Sequence, residues 1–209
     1  GPRGTKNDLH ELIRLLVPYN KIPLQIQEVS EGVFFENKDF YLESIPLKHG
    51  IPCNAYAFVE KDKTRLDRKK IKKLKLPNSP LLGDLVKGKD IEFNSKIIKS
   101  KEIVYHEKGK KISIILDTEL IENCHRIAKN SDLLITEAVY LNNEADLASL
   151  HEHLTAEQAG EIAKKANAKK LYLSHLSQRY DNNEKLILKE AKKKFKNTFI
   201  AEDLMEIII

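Results

Sequence analysis

Three short apolar runs, Ile112–Leu116, Leu133–Ile135 and Leu171–Leu173, constrain this chain more than any other feature. Each is too short for a core helix and is bounded by turn or helix signals, so each reads as a buried strand. Each leads into polar chemistry: Asp117 after the first, Glu137 after the second, Ser174-His175 after the third. Helical patterns fill the intervals. A β-α-β-α-β order implies parallel strands joined by right-handed crossovers. In open α/β sheets the ligand site lies beyond the carboxyl ends of such strands. Asp117, Glu137 and His175 then share one sheet edge, where an Asp, a Glu and a His point to metal binding or acid–base work. One polar residue past a strand is ordinary in any βα protein. Three at one edge, with His151 and His153 just before the last crossover helix, favour a functional reading.

The 209 residues make one large domain, or a domain with an insertion, and 41% hydrophobic content supports a sizeable core. Cys53 and Cys124 form no C-x-x-C pair, so a disulfide framework is not expected and the chain reads as cytoplasmic. No apolar run approaches membrane-spanning length, and the opening GPRGTKNDLHEL has no apolar segment of signal-peptide type. The net charge of +5 is uneven: nine Lys or Arg and two Asp between Lys61 and Lys75 give that stretch +7, leaving −2 for the remainder. Such a segment suits a polyanion grip; the same run also reads as a solvated, lysine-rich helix face. No aromatic interleaves with the lysines, so contact with backbone phosphates fits better than base stacking.

In chain order, residues 5–17 read as a helix with Leu9, Leu12, Ile13 and Leu16 as its stripe, ended by Pro18 and Pro23. Strands are expected over Leu24–Val29, Gly32–Asn37, Asp39–Leu47 and Tyr56–Glu60. His49 stands just past the third of these, before a Gly-Ile-Pro turn, and read alone is a structural histidine. Residues 61–95 break the pattern: a basic helix with Leu66, Ile71 and Leu74 on a thin apolar side, then a short helix Leu81–Val86. Little there can fill a core, so an arm or insertion is expected. A connecting strand Ile97–Tyr105 and a hairpin turn at Lys108-Gly109 follow. A helix Glu119–Lys129 turns Leu120, Ile127 and Ala128 inward, with Cys124 as a core neighbour and His125 at the rim. The connection from Glu137 to His153 is long, as functional loops often are. Thr155 with Gln158 three residues on is a capping box. Ala159, Ile162, Ala163 and Ala166 then face the sheet. A last helix spans 183–195, and Phe199–Ile200 with Leu204–Ile209 reads as a closing strand.

The segments KHGIPCNAYAFVEKD, ILDTE, TEAVY, HLTAEQAGEIAKKANAKKLYLSHLSQRY and FKNTFIAEDLMEI, in this order and spacing, resemble the later part of tRNase Z (ribonuclease Z) in the metallo-β-lactamase superfamily. The resemblance covers essentially the whole chain. The H-x-T loop, the S-H-x-S-x-R-Y segment and the A-x-D-L ending are its specific parts. It implies an α/β fold, the αβ/βα sandwich, with a protruding basic arm. It implies an endoribonuclease that removes the 3′ trailer of precursor tRNA with two zinc ions per complete active site. His49, Asp117 and His175 would be zinc ligands, with Asp117 bridging. Glu137 and His153 would protonate the leaving oxygen. Ser177 and Arg179 would hold a phosphate near the cut. The arm, residues 60–95, would grip the tRNA through Lys69, Lys70, Lys72, Lys73 and Lys75. Residues 1–59 would be the remainder of the first sheet half, and 96–209 the second βα half. A homodimer is the family's common assembly.

The sequence also departs from the family pattern. No H-x-H-x-D-H occurs in it, and in the family that motif precedes the GP-x-G segment with which this chain opens. Three ligands cannot complete two four-ligand zinc shells. The expectation is an incomplete sandwich whose other donors lie on a preceding segment or a separate chain, and a chain inactive alone. Leu116, Thr136, Ser79 and Ala55 replace residues usual in the family. The alternatives are half of a split enzyme, a non-catalytic RNA-binding or regulatory relative that keeps the arm, and another phosphodiesterase of the superfamily, against which the arm and the H-x-T loop argue.

Overall fold

The structure, a computed structural model, describes residues 1–16 and 23–209. It opens with α1 (Thr5–Leu16), β1 (Gly32–Glu36), β2 (Phe40–Pro46) and β3 (Asn54–Glu60). A middle stretch holds β4 (Lys63–Leu66), α2 (Arg68–Lys73), α3 (Pro80–Val86), β5 (Ile91–Phe93), β6 (Lys96–Ile98), α4 (Ser100–Ile103) and β7 (Val104–Glu107). The chain ends with β8 (Lys111–Ile115), α5 (Glu122–Ala128), β9 (Leu133–Glu137), α6 (Ala145–Leu150), α7 (Ala156–Lys165), β10 (Leu171–Ser174), α8 (Glu184–Lys194) and β11 (Thr198–Ile200). Two compact units result: Gly1–Val59 with Lys110–Ile209, and Glu60–Gly109.

The first unit is built on a seven-stranded sheet of order β1-β2-β3-β8-β9-β10-β11. β3 meets β8 antiparallel, and β8, β9, β10 and β11 run parallel. The alternation of the strands decides what each face meets. Ala57, Ser113, Leu134 and Leu171 stand in register on one face and are buried with residues of α5, α7 and α8. The alternate row, Tyr56, Ile114, Ile135, Tyr172 and Phe199, lies on the opposite face. Ile114 and Phe199 there are each 39% exposed. Among the described residues the first unit therefore forms one seven-stranded sheet with α5, α7 and α8 on one of its faces. Helix α7 begins at the expected capping box: the Thr155 hydroxyl accepts from Gln158 N, and Thr155 N donates to Gln158 Oε1 at 2.8 Å. Gly160 on α7 has no room for a side chain, because a Cβ there would stand 2.6 Å from the Ala191 carbonyl oxygen of α8.

Several expectations are corrected. Leu24–Val29 forms no strand; Val29 N–H donates to Gly1 O at 2.8 Å and Asn54 Nδ2 donates to Val29 O at 2.8 Å, isolated bonds without a ladder. Leu204–Ile209 is not a strand either, and Leu204 is 99% exposed. Helix α1 forms, but its stripe enters no core: Leu9 and Ile13 are half-buried and Leu12 and Leu16 exposed. Its expected end at Val17 and Pro18 lies outside the described residues. Helix α5 starts at Glu122 rather than at Glu119, and His125 is half-buried.

The second unit also differs from expectation. It runs to Gly109 rather than to 95, and it has a small core of Leu76, Leu85, Ile91, Ile98 and Ile103, with Leu66 and Ile71 packed on it. Leu66 lies on β4, not on the basic helix, which is limited to α2 and capped by Asp67 through bonds from Lys69 N and Lys70 N. The expected strand Ile97–Tyr105 is interrupted by α4. β5 and β6 form a hairpin whose turn residues, Asn94 and Ser95, have φ of 50° and 58°, as a tight mirror-image turn requires. The turn at Lys108-Gly109 joins no hairpin, since β7 pairs with β4 and β8 with β3. Lys69, Lys70, Lys72, Lys73 and Lys75 are all exposed.

Candidate functional site

The parallel register brings the three expected strand ends level. Ile115 pairs with Thr136, Thr136 with Leu173, and Glu137 with Ser174. Asp117 and His175, each just past its strand, have φ of 52° and 49°. That left-handed conformation is uncommon outside glycine, though Asp and His tolerate it better than most residues. It costs about 1–3 kcal/mol per residue and tends to occur at functional sites. Here it turns both side chains to a common point. His175 Nδ1 stands 3.2 Å from Asp117 Oδ1 and 3.5 Å from Glu137 Oε2. His153 Nδ1 stands 2.7 Å from Glu137 Oε2. One donor atom from each of Asp117, Glu137, His153 and His175 lies within 4.8 Å of all the others.

His153 reaches this edge from the loop between α6 and α7. Its N–H donates to Ala148 O at 2.8 Å, and the next residues are tied to the segment past β9 by Tyr140 N to Leu154 O and Ala156 N to Tyr140 O. Glu137 is fully buried. Its Oε1 accepts from Thr118 N at 2.7 Å and Leu154 N at 3.3 Å, while Oε2 faces the two histidines. Burial pushes the Glu137 carboxyl up to about 7, against the pull of the Thr118 N–H bond. Burial, and then the nearby His49, lower the His153 imidazole below its usual value. Both partners are thus biased to their neutral forms, and the contact between them is a short hydrogen bond able to pass a proton.

His49, expected as a ligand with Asp117 and His175, stands beside the four-residue group rather than in it. Its ring is 5.0 Å from that of His153, and its Nδ1 is 3.2 Å from Glu152 O. Glu137 and His153, expected as an acid–base pair, are inside the group. Ser177 caps a 3-10 turn at Gln178–Tyr180 by accepting from Arg179 N at 3.5 Å. Arg179 pairs with Glu144 and lies over Tyr140, 5.3 Å from the ring centroid.

Sequence reasoning missed two supports. Cys53 donates its thiol to Asp117 O at 3.0 Å. Burial, and then the Asp117 carboxylate, push that thiol up to about 11, so it stays protonated. Thr118 gives its N–H to Glu137, and its hydroxyl accepts from Lys48 N at 3.3 Å, joining the Asp117 turn to the His49 loop. The only sequence signal for either was adjacency: Thr118 follows Asp117, and Cys53 follows His49 by four residues.

A mixed sheet backed by helices, with Asp, Glu and His donors gathered past its parallel strand ends, places this protein among metallo-β-lactamase fold proteins. The metallo-beta-lactamase fold protein YhfI from Bacillus subtilis aligns with a TM-score of 0.58 at 18% identity, over 94% of this chain and 60% of that one. The short form of human tRNase Z aligns at 0.57 and 21% identity, over 98% and 64%. No family model matches the chain. A ribonuclease Z from Bacillus cereus is 36% identical over 209 residues, 98% of this chain and 68% of that protein. Ribonuclease Z from Bacillus thuringiensis (strain Al Hakam) is 35% identical over the same shares. The chain belongs to the ribonuclease Z family and spans about two thirds of the length of these curated relatives.

Proposed function

We propose that this chain carries the catalytic strand ends of a zinc-dependent endoribonuclease that removes the 3′ trailer of precursor tRNA. The observation that carries this reading is the meeting of Asp117, Glu137, His153 and His175 within 4.8 Å in a member of the ribonuclease Z family.

The donor set fits a metal. It offers imidazole nitrogens and carboxylate oxygens, the ligand types of zinc sites. It also holds a fully buried carboxyl, pushed up to about 7, whose ionised form gains from a cation. Asp117 and His175, with His49 beside them, would hold the metal. When bound, zinc supplies Lewis acidity toward a phosphoryl oxygen and its neighbours. With Glu137 and His153 kept for the proton, these three residues are too few for two four-ligand zinc shells, and the remaining ligands would come from the family's H-x-H-x-D-H segment, on the same or another polypeptide. His153 carries the proton for the leaving ribose oxygen, and Glu137 Oε2 holds the imidazole at Nδ1. Arg179, on the turn capped by Ser177, holds a phosphate beside the cut. The exposed lysines Lys69, Lys70, Lys72, Lys73 and Lys75 of the second unit, which acts as the family's arm, neutralise further phosphates of the RNA. Among the described residues no helix is long and apolar enough to cross a membrane; the reading places the protein in the cytoplasm, as a homodimer.

The test is incubation of the full polypeptide, loaded with zinc, with a precursor tRNA bearing a 3′ trailer. Cleavage at the trailer junction, lost in Asp117→Asn and on chelation, is expected. Tight tRNA binding by the zinc-loaded protein without any cleavage would replace this reading with a non-catalytic RNA-binding one.

A further inference from the structure

We infer that Glu144 is a positioning residue that presets the Arg179 guanidinium for a phosphate of the RNA. The inference rests on the reading of Arg179 given above and adds a residue that sequence reasoning did not single out. Glu144 lies in the segment after β9, on a 3-10 turn at Asn142–Glu144, and Arg179 lies on the turn after β10. Because β9 and β10 are parallel neighbours, both segments leave the sheet at the edge that holds Asp117 and His175.

There Glu144 is held from two sides. One carboxylate oxygen accepts from the Tyr180 hydroxyl and the other from Arg179 Nη1. Tyr180 is itself fixed: the residue is buried in the main core, 7% exposed, and its hydroxyl accepts from Leu141 N at 3.0 Å. The turn that carries Glu144 is tied down by Asn142 N donating to Glu190 Oε1 of α8 at 2.9 Å. The guanidinium is therefore clamped between a fixed carboxylate and the face of Tyr140, whose ring lies 6.3 Å from that of His153. The Arg179 side chain remains 44% exposed, so its other donors reach solvent. An arginine presents five donors in a planar fork and loses rotamer freedom when it grips an anion. A carboxylate that already fixes the fork removes part of that entropic loss, and it selects an orientation without contacting the RNA.

The experiment compares Arg179→Ala, Glu144→Gln, Tyr180→Phe and the double variant Glu144→Gln/Arg179→Ala in the full zinc-loaded polypeptide, on precursor tRNA, with melting temperature recorded for each. Arg179→Ala tests the phosphate reading: KM should rise and the salt dependence of binding should flatten by about one phosphate contact. Glu144→Gln keeps the arginine's charge, so KM should stay within about twofold while kcat falls about tenfold or more. Tyr180→Phe should move kcat in the same direction by less. The double variant should be no worse than Arg179→Ala alone. A Glu144→Gln enzyme with kcat within twofold of the parent, or a Glu144→Gln loss that persists in full without Arg179, overturns the inference while leaving the phosphate reading intact. If Arg179→Ala changes neither KM nor the salt slope, the phosphate reading fails and the inference fails with it.

Discussion

Glu137 Oε2 lies 2.7 Å from His153 Nδ1, and the two side chains come from different elements, the end of β9 and the loop before α7. The carboxylate is sealed from solvent and the imidazole is 17% exposed. The imidazole is thus held at Nδ1 by a buried partner while part of it stays open to solvent, which suits the proton-donor role proposed for it.

His153→Ala should therefore slow cleavage of precursor tRNA by about 100-fold or more in the full polypeptide, the usual scale for one general acid. Its affinity for the tRNA should change by less than threefold. Single-turnover cleavage and filter binding measure the two. Equal losses in both would remove the proton role and leave His153 as a binding or folding residue.

Glu137 also makes stability depend on pH. Its folded value is near 7 against an ordinary 4.5, so the folded protein keeps a proton that the unfolded chain releases. Stability from this group is complete below about 4.5 and declines as pH rises through 7. His153 is shifted downward and works oppositely, penalising the fold as pH falls through its unfolded range. In chelator-treated protein, Glu137→Gln should remove the Glu137 part of the slope, amounting to about 3 kcal/mol above pH 7 as an upper bound. Urea unfolding across pH 4 to 8 measures it; identical slopes in the two proteins would refute the burial effect.

Neutralising Lys69, Lys72 and Lys73 together should weaken tRNA binding and reduce the slope of log K against log salt by about 2 to 3. Lys70 is left in place because its ammonium bonds Glu102 O at 2.7 Å and also serves the fold. An unchanged salt slope would make the run a solvated face only.

Gly160→Ala should destabilise the first unit by about 1–3 kcal/mol, since the added methyl meets backbone rather than a movable side chain. Urea denaturation checks this, and a neutral or stabilising result would mean that α7 and α8 separate easily.

Much of the site was legible in residue order. Short apolar runs ending in Asp117, Glu137 and Ser174-His175 fixed three parallel strands, and parallel strands with right-handed crossovers place their ends together. Thr155 and Gln158 marked the helix start because a capping box is complete within four residues. The clustering of positive charge at Lys61–Lys75 needed only counting. Tertiary structure alone decided the rest. Leu24–Val29 and Leu204–Ile209 alternate or run apolar like strands yet find no ladder partner, because periodicity reports a side-chain pattern and says nothing of where a second backbone lies. The small core of the second unit joins Leu76 to Ile103 across a hairpin, and no local window contains both. The thiol of Cys53 on Asp117 and the carboxylate of Glu144 on Arg179 link residues 64 and 35 positions apart. Contacts of that range depend on loop geometry set by the packed sheet, and so they become visible only once the chain has closed.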